Sequence, residues 1–278
     1  MTIHFDHSHA LGSPVVALHS SASNHIQWKN LMETLEDRHE VFAFDLPGYG
    51  SASQAVTDKA NMASIAQHVI DRIEEIEEPI HLVGHSYGGA VAIKVAMMRP
   101  DLIKSLNLYE PAVFHLLDNE NAADRALLDH MKAVETSVEH SIEAETPDKG
   151  MEMFVDFWNQ PGSWKSMPEK VQSKIAMNAE TVLGDFAHIF SENWTADELS
   201  EVKLPAQLLM GMESPTPAQR AATLVFQNIA GAELVMLPGL GHMAPITASD
   251  WVNPRICQHI ARVDRSADQF SWPRRLAA

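Results

Sequence analysis

Residues Gly84-His85-Ser86-Tyr87-Gly88 set a serine between two stretches that favour different structures. Before them, Pro79-Ile80-His81-Leu82-Val83 is a short apolar run with strand character. After them, Gly89 to Met98 has helical spacing and stops short of Pro100. The serine therefore falls on a tight strand-to-helix turn. Glycines leave room for such a turn, because side chains there would meet the neighbouring strand and helix. The turn lifts the serine oxygen out at the top of a sheet, beside the unpaired N–H groups of the first helical turn. A bare G-x-S-x-G is common; one with a strand before it and a helix after it is specific.

The rest of the chain fits one large domain, or a domain with an insertion. It has 278 residues, 45% of them hydrophobic, enough to bury a sizeable core. No apolar run reaches the roughly 18 residues that a membrane span requires. The start, Met1 to Asp6, lacks a basic segment followed by an apolar one, so no secretory signal is expected. Cys257 is the single cysteine and excludes an intramolecular disulfide. Its neighbours read as one face of a helix, so it is expected to be packing, and a cytoplasmic location follows. The formal net charge of −17 argues against a nucleic-acid or anionic-membrane partner, since both need a basic footprint. The expected partner is a small-molecule substrate. The 15 histidines are scattered, with no H-x-x-x-H pair beside a third ligand and no C-x-x-C, so no metal is expected.

Strands and helices alternate along the sequence. Pro14 to His19, Glu40 to Leu46, Ile80 to Val83, Ser105 to Tyr109, Leu204 to Met210 and Glu233 to Leu237 read as strands. Trp28 to Leu35, Met62 to Ile76, Ala218 to Ile229 and Asp250 to Val263 read as helices. Continuous apolar strands separated by helices predict an α/β fold: a mostly parallel sheet covered on both faces. One block breaks the pattern. From Phe114 to Ser200 the chain reads as helix throughout, with a stripe of Leu127, Leu128, Met131, Val134 and Val138. A second stripe begins at Phe154, Phe157 and Trp158. The block is expected to be a helical cap, residues 114–200, inserted into a core formed by residues 1–113 and 201–278. Most of its large apolar residues are expected to pack its helices, and some to line a pocket. The short basic tail, Phe270 to Ala278, is expected to be loosely held.

A serine is a poor nucleophile without a base in reach and an acid to orient that base. His242 is the base candidate. It lies in Gly239-Leu240-Gly241-His242, on a glycine-rich loop after the last strand and downstream of the serine.

Four segments together resemble the α/β-hydrolase fold over nearly the whole chain. They are Val16 to Ser21, the turn Phe44-Asp45-Leu46-Pro47-Gly48-Tyr49-Gly50-Ser51, the serine turn, and Gly239 to His242. The resemblance implies Ser86 as nucleophile, His242 as base, and an oxyanion hole from the backbone N–H groups of Tyr87 and Ser21. It implies a turn-holding role for Asp45, and chemistry that needs no cofactor. The chain departs from the family where His19-Ser20 stands in place of the usual His-Gly. If the Ser21 N–H is the donor, Ser21→Ala should matter little; a large loss would mean that the hydroxyl acts directly.

Two residues compete for the acid. The common family position, after the strand Leu204 to Met210, holds Ser214, with Glu213 one residue early. Such an offset turns a side chain to the other face. Some family members, haloalkane dehalogenases among them, carry the acid one strand earlier, where this chain has Glu110. A carboxylate ending an apolar strand is costly unless a partner such as histidine meets it, so Glu110 is favoured over Glu213. The resulting expectation is a serine carboxylesterase working on small, partly apolar esters. A carbon–carbon bond hydrolase, a cofactor-free perhydrolase and a silent ligand-binding homologue are the alternatives.

Overall fold

The structure is a computed structural model that describes residues 12–54, 61–118 and 120–270. The Met1–Asp6 segment and the tail beyond Phe270 lie outside these residues. Six strands form one sheet: β1 Val15–Leu18, β2 Val41–Phe44, β3 Ile80–His85, β4 Ile103–Tyr109, β5 Ala206–Gly211 and β6 Glu233–Leu237. All five pairings are parallel, in the order β2-β1-β3-β4-β5-β6. After β1 the chain winds outward to β2, then returns to the other side of β1 with β3. The strand order therefore reverses between β1 and β3, and in open parallel sheets ligands settle beyond the strand ends at such a reversal.

The pleat sorts the strand residues onto two faces. Val16, Leu18, Leu82, Leu106, Leu108 and Leu208 are buried on one. Val15, Ala17, Val83, Tyr109 and Leu209 are buried on the other. The first face carries α2 (Met62–Glu74), α3 (Tyr87–Met98) and α10 (Thr216–Asn228). The second carries α1 (Lys29–Leu35) and α12 (Ser249–Phe270), with the short α11 (Ala244–Thr247) between β6 and α12. Helix α3 lies deep against the sheet, and its residues from Tyr87 to Ile93 are all buried.

Between β4 and β5 the described residues form no strand. They run through α4 (Ala122–Glu143), α5 (Pro147–Trp158), α6 (Ser163–Ser166), α7 (Glu169–Ala176), α8 (Ala179–Ser191) and α9 (Ala196–Leu199). Both apolar stripes read from the sequence are buried in the larger core cluster, with Leu127 and Phe157 at its edge.

Most element ends lie within two residues of the sequence reading, and two differences have visible reasons. β2 stops at Phe44, because the Asp45 carboxylate turns away to accept from the N–H groups of His25 and Ser51, each at 2.8 Å. Burial works against that charge, yet these bonds and those from the His25 ring and Ser51 hydroxyl hold it well below the usual carboxylate range. α12 runs past Val263, where Asp264 meets both Lys104 and His81. Cys257 is partly buried against the second face, and burial pushes its thiol up to about 11. No helix among the described residues is long and apolar enough to cross a membrane.

Backbone packs closely against backbone under the serine turn. A Cβ on Gly88 would sit 2.4 Å from the His19 carbonyl oxygen and 2.5 Å from that of Leu18. One on Gly84 would sit 2.6 Å from the Gly88 carbonyl. Backbone cannot yield as a flexible side chain can, so Gly88→Ala is expected to cost about 3 kcal/mol or more. Urea unfolding of the variant, or its failure to accumulate as folded protein, would show this; an unchanged midpoint would contradict it.

Candidate active site

Ser86 follows β3 directly, with φ 55° and ψ −118°, a conformation that non-glycine residues rarely adopt. Such a residue costs about 1–3 kcal/mol and persists only when its surroundings hold it. Three backbone bonds do so. Its N–H donates to Tyr109 O at 3.0 Å, and its carbonyl accepts from Ala90 and Ala112, each at 3.0 Å. The turn is thus tied to the end of β4 and to the first residues after it. Tyr87 N–H is the first of α3 and has no partner within the helix.

Glu110, just beyond β4, is 1% exposed and also has positive φ, at 44°. One carboxylate oxygen accepts from Gly211 N–H at 2.7 Å. The other lies 2.6 Å from His242 Nδ1. An ionised carboxylate can only accept, so with Glu110 ionised Nδ1–H donates and Nε2 is left as the basic nitrogen. Glu213 lies elsewhere. It is exposed, and it meets the histidine loop only through its backbone, donating to Leu240 O at 2.9 Å. Ser214 is buried in the turn after β5, and its hydroxyl has no partner among the described residues.

The loop carrying His242 is pinned carbonyl by carbonyl. Leu240 O accepts from Glu213, Gly241 O from the Tyr109 hydroxyl at 2.8 Å, and His242 O from His85 Nε2 at 2.9 Å. Donation by Nε2 makes His85 Nδ1 the acceptor of Gln27 Nε2 at 3.1 Å. Gln27 Oε1 in turn accepts from the Ser20 N–H and hydroxyl, at 3.1 and 3.0 Å. A continuous chain therefore runs from the loop after β1, under the serine turn, to the histidine loop. Burial first, then the neighbouring His242, keeps His85 neutral well below its ordinary range. His19 is likewise held neutral, down to about 4, chiefly by burial.

Ser20 fits without the glycine expected at its position. It is buried, its hydroxyl is used by Gln27, and the positive φ of this loop falls on Ala22 at 57°.

A cavity of about 580 Å³ lies over the strand ends. Ser86, Tyr87, Ser21 and His242 all line it. Its far walls come from the helical stretch between β4 and β5, with Phe154, Trp158, Phe186 and Ile189 among them. Trp158 lies over the His242 ring, centroids 4.3 Å apart and planes inclined by 32°. The His85 ring stands at 5.0 Å. The imidazole is therefore held at Nδ1 and flanked by two rings.

Asp185, on α8, also lines this cavity, and no sequence motif points to it. Its one signal is a carboxylate set among Val182, Phe186 and Ile189 on an apolar helix face. Among the described residues no cluster of three His, Cys, Asp or Glu is placed to hold a metal ion. A second serine–histidine–aspartate chain exists: Ser105 Oγ lies 2.7 Å from His81 Nδ1, and His81 Nε2 lies 3.1 Å from Asp264. Ser105 and His81 are fully buried and line neither this cavity nor the one beside Lys104.

Comparison with known proteins agrees with this architecture. The chain is 22% identical over 252 residues to an (E)-2-((N-methylformamido)methylene)succinate hydrolase of Acinetobacter baylyi, covering 87% of this chain and 88% of that protein. It is 23% identical over 254 residues to Lipase 1 of Psychrobacter immobilis, covering 89% of this chain and 77% of that protein. A thermophilic esterase from Thermogutta terrifontis superposes with a TM-score of 0.74 at 21% identity, over 92% of each chain. A family model described as the alpha/beta hydrolase family matches residues 15–255. That span takes in β1 through β6 with Ser86, Glu110 and His242, and the chain belongs to the alpha/beta hydrolase family.

Proposed function

We propose that this protein is a serine hydrolase of the carboxylesterase type, acting on small, partly apolar esters. The observation that carries the reading is the 2.6 Å contact between Glu110 and His242 Nδ1, with His242 and Ser86 on one cavity wall. In this reading Glu110 fixes the tautomer and His242 Nε2 accepts the Ser86 proton as the oxygen attacks the ester carbonyl. The N–H groups of Tyr87 and Ser21 hold the oxyanion. His242 then protonates the departing alcohol, and water releases the acyl group by the same route. Glu110 keeps its negative charge and stabilises the imidazolium as it forms. The tilted Trp158 ring adds to this, because an indole face attracts a cation within about 6 Å of its centroid. Residues 114–200 act as a cap that closes the apolar side of the cavity, away from water. Its aromatic lining favours an apolar acyl or alcohol group over a charged one.

The other chemistries of the fold share these groups, and activity on p-nitrophenyl esters against vinylogous diketones separates them. A fluorophosphonate probe should label Ser86; no labelling would favour a silent binding protein.

Three variants test the roles. Ser86→Ala should lose about 10³-fold or more in kcat. Glu110→Gln should lose about 10³–10⁴-fold, through the wrong tautomer, while remaining folded. Glu213→Gln should stay within about twofold, as a surface change. A reversal of the two glutamine variants would move the acid to Glu213. Because the base must be neutral, kcat/KM should fall as the pH is lowered and His242 gains a proton. A rate that stays level from about pH 5 to 7 would contradict histidine as the base.

A further inference from the structure

Asp185 is 3% exposed, yet it faces the cavity beside the candidate oxyanion site. Hydroxyls from separate parts of the core converge on it. Ser21 Oγ, in the loop after β1, and the Tyr49 hydroxyl, in the turn after β2, each lie 2.5 Å from its Oδ2. The Tyr87 hydroxyl, 2.8 Å from His188 Nδ1, stands close enough to feel the charge of this carboxyl. These partners are neutral, and among the described residues no cation pairs with Asp185. Helix α4 packs against α8 with apolar residues such as Met131 and Val134, and its own buried carboxylate, Asp124, is paired with Arg220. From α5 come Phe154 and Trp158; Lys174 of α7 and His242 line the same cavity. Burial is the largest influence and outweighs the three hydroxyls, pushing the Asp185 acid up to about 7. Burial, and then the Asp185 charge, raise Tyr49 and Tyr87 well above the usual phenol range, so both stay protonated donors.

An ionised Asp185 opposes catalysis in two ways. It places a second negative charge near the oxyanion in a water-poor cavity, where like charges repel strongly. It also takes the Ser21 proton as a hydrogen bond, so that hydroxyl has nothing to offer a substrate. Protonation relieves both.

We propose that Asp185 works as a neutral acid, donating to Ser21 Oγ so that the Ser21 hydroxyl directs its own proton at the ester oxygen that becomes negative. The inference rests on the serine-hydrolase reading above and adds a third donor to it. Ser21 is then a catalytic residue through its side chain, and Asp185 a positioning residue behind it. No net proton moves in the cycle: ionisation of Asp185 reverses one hydrogen bond and withdraws one donor from the cavity. A carboxylic acid kept neutral by an apolar site can serve an oxyanion in this way. The donor is present while Asp185 is protonated and is lost as pH rises through about 7. The imidazole imposes the opposite dependence, so the pH profile should be bell-shaped.

The test measures kcat/KM for p-nitrophenyl acetate between about pH 5 and 9. It compares the natural chain with Ser21→Ala and Asp185→Asn, with melting temperatures to confirm folding. The natural chain should lose about tenfold or more on the basic side. Ser21→Ala should lose about tenfold near pH 6 and show no basic limb. In Asp185→Asn the side-chain amide N–H₂ donates to Ser21 Oγ at every pH. That variant should therefore lose less than Ser21→Ala near pH 6, and its basic limb should vanish. A natural chain without a basic limb, or a folded Asp185→Asn that keeps one, would overturn the proposal. Infrared spectroscopy gives a readout without substrate. The C=O stretch of a protonated carboxyl should be present near pH 6, fade as pH rises, and be missing from Asp185→Asn. Its absence from the natural chain would also overturn the proposal. Full activity in Ser86→Ala would instead sink the nucleophile reading and leave the infrared band untouched.

Discussion

A charged carboxylate with no contact to water is costly unless donors surround it, and Glu110 is such a group. Its two oxygens take Gly211 N–H and His242 Nδ1–H, from the end of β5 and from the loop after β6. Meeting that one charge draws together the ends of β4, β5 and the last loop. The same strand end holds the serine turn, because Ser86 N–H bonds Tyr109 O and its carbonyl accepts from Ala112. Ser86, His242 and Glu110 therefore share one frame of hydrogen bonds. Removing the Glu110 charge would loosen the histidine, while the turn beneath Ser86 would keep its own bonds.

The helices between β4 and β5 bring polar and aromatic contacts to the cavity as well as its walls. Trp158 lies over the imidazole, and Asp185 gathers the hydroxyls that border the oxyanion side. Both residues stand on otherwise apolar helix faces that also pack the core. A shift of α5 or α8 would therefore alter the base and the donor loop together. The buried Ser105–His81–Asp264 chain shows the converse. It has the residue types and contacts of a triad, but neither cavity described above reaches its serine or histidine.

The parts of the fold visible in the sequence are those set by local rules. Val15–Leu18, Ile80–His85 and Ala206–Gly211 are short apolar runs, and each becomes an inner parallel strand. Gly84 and Gly88 flag the turn because no Cβ fits there. Where the reading slipped, the cause was not local. Strand β2 ended early because Asp45 bonds two distant N–H groups, and α12 ran long where Asp264 finds partners far away in sequence. Within the site, Asp185, Gln27 and the His85 link to His242 O left no mark in the spacing.

By itself the sequence determined the strand–turn–helix around Ser86, the alternation that makes a parallel sheet, and the histidine loop after the last strand. These follow from side-chain size, periodicity and glycine freedom, which act over a few residues. Only the tertiary structure decided which glutamate meets His242, because Glu110 and Glu213 both end sheet strands or their turns and differ in where folding aims them. It also decided that Asp185 faces Ser21 across 164 positions of chain. Contacts of that range depend on how packed layers close over one another, and no local pattern carries that information.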